Sequence, residues 1–137
     1  MKRAFICLLA MLTIFASSCE NNDGDNSELA GTDWRLEGWS ASSLDPSQFT
    51  ITAAFDDSTI SGTSAVNSYS GTYSATSNGD FSVGTLAMTE MAGPEDAMRA
   101  EGLYFSLLKQ ARKYTRNGTT LTLLDENKNE LLIFDET

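Results

Sequence analysis

The sequence predicts an α+β fold: a curved antiparallel sheet or partial barrel of about seven or eight strands, with one helix at about 94–112 packed on it. Three observations predict it. Short apolar runs of period two, separated by turn residues, recur from Ala30 to the end of the chain. One stretch alone carries the 3.6-residue period of a helix. The 137 residues suit a single domain with a modest core, and no repeat interrupts them.

Each element has its own warrant. "DWRLEGW", residues 33–39, puts Trp34 and Leu36 on one face of a half-buried strand. "QFTITAAF" alternates Phe49, Ile51, Ala53 and Phe55, and the turn "DDS" leads into "TISGTSA". "NSYSGTYSA" places Tyr69 and Tyr73 two periods apart on one face. "SNGD", residues 77–80, is a hairpin signal before "FSVGTLAMTEM". The texture changes at Gly93-Pro94. Pro94 suits a first helical position, and Glu95 and Asp96 suit the positive end of a helix dipole. Ala97, Glu101, Tyr104, Leu108 and Ala111 form the apolar stripe, flanked by Met98, Phe105 and Leu107. Lys109, Arg112 and Lys113 are read as the last turn. Gly102 costs the helix about 1 kcal/mol relative to Ala and predicts a close approach to the sheet. The rest reads as a strand, an Asn117-Gly118 turn, a strand, a polar turn at 125–129 and a final strand.

Charge and composition exclude several functions. Nine basic residues stand against 19 acidic ones, a net charge of -10. Such a surface repels phosphate backbones, so no nucleic-acid partner is expected. The chain has no histidine, which removes Ser-His-Asp triads, Cys-His dyads and imidazole metal sites. No catalytic residue, metal or cofactor is expected.

The first 18 residues read as an export signal. Lys2 and Arg3 precede a 13-residue apolar run, 4–16, too short for the about 20 residues that span a bilayer. "ASSC", residues 16–19, resembles the lipobox of bacterial lipoproteins, with Ala16 where Leu is usual. Cys19 is then the lipidated first residue of the mature chain. Cys7 leaves with the signal, so acylation accounts for an otherwise unpaired thiol. Two or more acyl chains, at about 0.8 kcal/mol for each buried CH₂, suffice for anchoring. Residues 19–29 read as an acidic, solvated tether and resemble the surface-export signals of some lipoproteins. Its spacing Asn21, Asp23, Asp25, Ser27 is not a calcium loop: Asn26 stands where Gly is required and Thr32 where a bidentate Glu is required.

The order of four stretches resembles the META domain across nearly all of residues 30–134. They are "GTDWRLEG", "FDDSTISGTSAVNSYSGTY", "LAMTEMAGPEDAMRAEGLYFSLL" and "GTTLTLLDENKNELLIF". The resemblance brings an Asn-x-Tyr-x-Gly motif, here Asn67, Tyr69 and Gly71. It also marks two positions that often carry cysteine in that family, here Val66 and Gly93, so any disulfide worth about 2–4 kcal/mol is absent. The family implies a helix-capped curved sheet, envelope lipoproteins connected with stress or drug tolerance, and no common catalytic residues. A related fold in a secretion pilot lipoprotein holds an acyl chain, so lipid binding enters by analogy.

The remaining chemical signals have bland readings. Ser106 and Lys109 match Ser-x-x-Lys, without the Lys-Thr-Gly or the chain length of penicillin-recognising enzymes. Asp56-Asp57 reads as a solvated turn, "DST" at 57–59 as a short O-glycosylation pattern, and Asn117-Gly118-Thr119 as a turn. Trp34, Trp39, Phe49, Phe55, Tyr69, Tyr73 and Phe81 either line a ligand cavity or form the core, and aromatics on strand faces favour the core. Glu101 on the apolar stripe calls for donors, from the "VNSYSG" segment with Asn67. The expectation is a non-catalytic outer-membrane lipoprotein, on the periplasmic side or the cell surface. It binds lipid or another apolar small molecule, or serves envelope stress tolerance. The alternative is a protein-interaction lipoprotein, of assembly or inhibitor type, docking an envelope partner by its sheet edge or exposed loops.

Overall fold

A computed structural model describes residues 28–40 and 42–137. The signal segment, Cys7, Cys19 and most of the tether lie outside them. The strands are β1 (Thr32–Trp39), β2 (Thr52–Phe55), β3 (Thr59–Thr63), β4 (Ser68–Ala75), β5 (Phe81–Met88), β6 (Lys113–Asn117), β7 (Thr120–Leu124) and β8 (Glu130–Glu136), with α1 (Glu95–Gln110) between β5 and β6. All strand pairings are antiparallel, in the order β5-β4-β3-β2-β1-β8-β7-β6. The fold is therefore α+β, a curled half-barrel with one helix.

Curvature comes from register shifts between Leu36 and Gly38, Gly71 and Tyr73, and Leu123 and Leu124, because an extra residue on one strand bends it. The two edge strands meet at one end only. There Asp80 bridges Lys113, Phe81 N donates to Arg112 O at 2.8 Å, and Tyr114 N donates to Gly79 O at 2.9 Å. Gly62 sits where β2 and β3 close up: a Cβ there would run into the backbone oxygen of Thr52.

The concave face and α1 bury Trp34, Leu36, Phe55, Tyr69, Tyr73, Phe81, Tyr104, Leu108 and Phe134 together. Phe55 packs edge-on against Tyr73 at 4.8 Å between ring centres, and Tyr69 packs so against Phe105 at 5.4 Å. Trp39 and Phe49 cover the rim, half-buried. These aromatics fill the half-barrel as core.

The helix differs from the sequence reading in three ways. Pro94 is the N-cap, not the first helical residue: its extended backbone, ψ 146°, lets its carbonyl accept from Met98 N at 2.9 Å. The last helical residue is Gln110. Arg112 lies beyond it and donates to the carbonyls of Lys109 and Ala111, both at 2.8 Å, while Lys113 already belongs to β6 and pairs with Asp80. Gly102 is exposed, with no heavy atom within 4 Å of a Cβ built on it, so it marks no close approach to the sheet. A 3₁₀ turn at Pro46–Gln48, capped by Asp45, was not anticipated. Leu29, read as tether, is fully buried, and Glu28 accepts from Tyr114 Oη at 2.9 Å.

Candidate functional site

Between β3 and β4 the chain makes a tight turn, residues 64–67. Ser64 N donates to Asn67 O at 2.8 Å, and Ala65 adopts a left-handed φ of 78°, which costs a residue with a Cβ about 1 kcal/mol or more. The helix holds this turn. Glu101 is 6 % exposed and points from α1 into it. Its Oε2 accepts from Asn67 N at 2.8 Å and lies 2.8 Å from Ser64 Oγ; its Oε1 accepts from Asn67 Nδ2 at 2.7 Å. Burial pushes the carboxyl pKa up. The bonds from Asn67 and Ser64, with one from the Val66 backbone, outweigh it and hold the group below the usual carboxylate range. Glu101 is thus an ionised, saturated acceptor and not a proton donor.

Asn67 uses its other atoms on the loop before the helix. Its Oδ1 accepts from Met91 N at 2.7 Å and from Thr89 Oγ1 at 2.9 Å, and its Nδ2 reaches Met91 O at 3.2 Å. One carboxamide therefore ties the 64–67 turn, loop 89–94 and α1 together. Tyr69, at the start of β4, donates to Thr52 O at 2.7 Å, so the 2.6 Å contact with Tyr104 has Tyr104 as donor. Burial pushes the Tyr69 hydroxyl up, against the bond from Tyr104, so neither tyrosine offers a phenolate. Gly71 is the residue where β4 shifts register, and a Cβ there would meet Leu86 and Thr85 O at 2.7 Å. Of the four motif residues, Asn67 and Glu101 touch. Tyr69 reaches the helix through Tyr104, and Gly71 shapes the strand.

An open cleft of about 300 Å³ lies over this clamp, lined by Asn67, Met88, Thr89, Glu90, Met91, Ala92, Met98 and Glu101. Among the described residues the exposed large apolar side chains are Met88, Met91 and Met98, 38 %, 59 % and 38 % exposed. All three face this one cleft. The sequence reading missed it and took Met98 for a flank of the helix stripe. A signal existed: the other two of the five methionines, Met1 and Met11, both precede Cys19, so every later one falls within 88–98.

The other candidates separate. Ser106 accepts from Gln110 Nε2 at its carbonyl, 3.2 Å, and at its hydroxyl, 3.3 Å. Asp56 and Asp57 are exposed, as read. Asn117 and Gly118 form the β6–β7 turn, with Gly118 at φ 61°. Thr32 donates to Leu29 O and accepts from Trp34 Nε1 at 2.7 Å. Among the described residues no group of three or more His, Cys, Asp or Glu side chains is placed to hold a metal ion.

Solved structures share this architecture. A protein from Burkholderia xenovorans, solved by NMR, matches with a TM-score of 0.65 at 26% identity, over 80% of this chain and 84% of that one. A DUF4847 family protein from Bacteroides vulgatus, solved by crystallography, matches with a TM-score of 0.59 over 82% of this chain and 96% of that one; at 14% identity it shows the fold alone. No curated protein is matched by the chain. The profile of the META domain matches residues 27–137. The chain belongs to the META domain family.

Proposed function

We propose that the chain is a membrane-anchored, non-catalytic envelope module, and that its working surface is the methionine-lined cleft, which binds a small apolar molecule. One observation carries this reading: among the described residues the most exposed large apolar side chains are three methionines, and all three stand around one cleft with a saturated carboxylate–carboxamide clamp beneath. The cleft volume lies at the lower end of small-ligand sites, about 300–1,000 Å³. Methionine suits such a wall, because its thioether stem adapts to varied apolar shapes. The half-barrel interior is filled by aromatic side chains, so an acyl chain has its best support at this outer cleft. Glu101 and Tyr69 are spent on structural bonds, which supports a binding role over a catalytic one.

The anchor is tested by metabolic labelling with a fatty acid. The label is expected on the full chain and absent from Cys19→Ser; a label that survives the substitution sinks the lipid anchor. The ligand is tested by native mass spectra of the full chain purified from membranes. A stoichiometric adduct of apolar mass is expected, lost in Met98→Asp, which sets a charge in the cleft. A clean mass for the unsubstituted chain overturns the apolar-ligand reading. The alternative, docking of an envelope protein, has one observation in its favour: β5 is an edge strand whose one bridge to β6 is at Asp80, before the strand begins.

A further inference from the structure

We propose that the same cleft holds a soft monovalent cation of the copper(I) or silver(I) class, bound by the thioether sulfurs of Met88, Met91 and Met98. This goes beyond the apolar-ligand reading, which needs the walls of the cleft and not its sulfur.

The three side chains come from three different supports. Met88 is the last residue of β5, Met91 stands in loop 89–94, and Met98 lies in the first turns of α1. Convergence of that kind requires the loop to be fixed, and it is. Asn67 takes both backbone groups of Met91, N at 2.7 Å and O at 3.2 Å, and Glu101 in turn fixes Asn67. A ligand-bearing loop pinned by buried polar partners is how preorganised sites are built. The clamp leaves the Met91 side chain outside, 59 % exposed. As packing, that side chain contributes little, so its placement calls for another use.

Donor chemistry then selects the ion. Thioether sulfur is a soft, neutral donor that favours copper(I) over magnesium, calcium or manganese, which prefer oxygen. The chain has no histidine and its two cysteines, Cys7 and Cys19, lie outside the described residues, so among the described residues these sulfurs have no stronger soft donor beside them. Each methionine has three rotatable side-chain bonds, which lets three sulfurs close on one small ion. Glu90 on the cleft wall supplies countercharge, and the net charge of -10 draws cations in.

The test uses the full chain carrying Cys7→Ser and Cys19→Ser, so that no thiol competes, with its methionine methyls labelled with carbon-13. Silver(I) is titrated as the redox-inert probe. The methyl signals of Met88, Met91 and Met98 are expected to shift together and saturate at one equivalent, while Met1 and Met11 stay in place. Met91→Leu and Met98→Leu keep size and apolarity and remove sulfur. Each should weaken silver binding at least as much as the about 10–100-fold lost with an outer-shell partner. Three unmoved signals, five signals that drift alike without saturation, or Leu variants that bind silver as well as the parent would each overturn the proposal. The two readings fail separately. An apolar adduct that survives in the Leu variants without any silver binding sinks only the cation. Saturable silver binding in a chain that purifies without an adduct sinks only the apolar ligand.

Discussion

A disulfide placed between Val66 and Gly93 tests how the 64–67 turn meets loop 89–94. A Cβ built on Gly93 lies 3.5 Å from the Cβ of Val66, at the near edge of the about 3.5–4.5 Å that a disulfide spans. It also lies 2.8 and 3.0 Å from the two Val66 methyls. A side chain at Gly93 alone therefore collides with Val66, and Gly93→Ala should cost about 1–3 kcal/mol as overpacking. Val66→Cys removes the obstructing methyls, so the double variant is relieved of that clash. The bond would close a loop of about 28 residues, which the chain-entropy model values at roughly 3.5 kcal/mol. With a urea slope of about 1–3 kcal/mol/M, the midpoint should rise by roughly 2 M on oxidation. The assay compares oxidised and reduced V66C/G93C by urea unfolding, in the Cys7→Ser, Cys19→Ser chain, with thiols counted by reagent. Thiols that stay free in air, or a bonded protein no more stable than its reduced form, would refute the packing of the loop on the turn.

Four further outcomes follow from the structure. In Glu101→Gln the amide NH₂ must face an Asn67 donor in either orientation, so urea unfolding at pH 7 should show a loss of about 2–4 kcal/mol; a loss under about 0.5 kcal/mol would refute the clamp. Because folding lowers the Glu101 pKa from 4.5, its contribution is complete above that value and fades as pH falls through the folded value, and Glu101→Gln should lack this part of the acid limb. Gly102→Ala, exposed and unobstructed in α1, should stabilise by about 1 kcal/mol, whereas Gly62→Ala, facing Thr52 O, should destabilise by about 1–3 kcal/mol; thermal unfolding reads both, and equal signs would contradict the structure. Asn67→Asp sets a second carboxylate against Glu101, so the pair should share a proton and its pKa should rise on folding. Its deficit against the parent should then shrink between pH 7 and pH 5 in urea titrations, and a constant deficit would argue against the contact.

What could be read in the chain was local. Trp34 with Leu36, and Tyr69 with Tyr73, announce their strands because a period of two survives without knowledge of any partner. Asn117-Gly118 announces its turn because Gly118 takes φ 61° at little cost. A carboxylate on the stripe of α1 announces a need for donors, since an unsatisfied buried charge is not tolerated. Which donors it finds is not local: Ser64 and Asn67 lie 37 and 34 residues from Glu101. The methionine cleft shows no period at all, because a strand end, a loop and a helix each contribute one residue. Gly102 misled for a physical reason. A glycine in a helix signals either close packing or an exposed flaw, and sequence alone does not separate the two. The turn at Pro46–Gln48 had a signal that went unread: Asp45 before Pro46, whose Oδ1 accepts from Ser47 N at 3.0 Å.

The position of the cleft bears on how an anchored domain would meet its ligand. The described chain enters at Glu28, whose carboxylate and carbonyl accept from Tyr114 and Arg116 at 2.9 and 2.7 Å. Tyr114 Oη also lies 2.8 Å from Thr76 O, so the entry lies by the C-terminal end of β4. Asn67 and the cleft lie before Ser68, at the N-terminal end of the same strand. A strand of eight residues separates the two ends by roughly 25 Å. On the proposed anchor, the stretch from Cys19 to Glu28 reaches at most about 30 Å when fully extended. With the domain upright on that tether, the entry end stays near the bilayer and the cleft opens some 25 Å further out. To take a ligand directly from the membrane, the domain would have to tip or invert on that tether, and its net charge of -10 resists contact with an anionic surface. The arrangement therefore favours a ligand that arrives through water. A small cation meets that condition without help. A long acyl chain would need a carrier to deliver it, so the silver titration also bears on which side of the domain supplies the ligand.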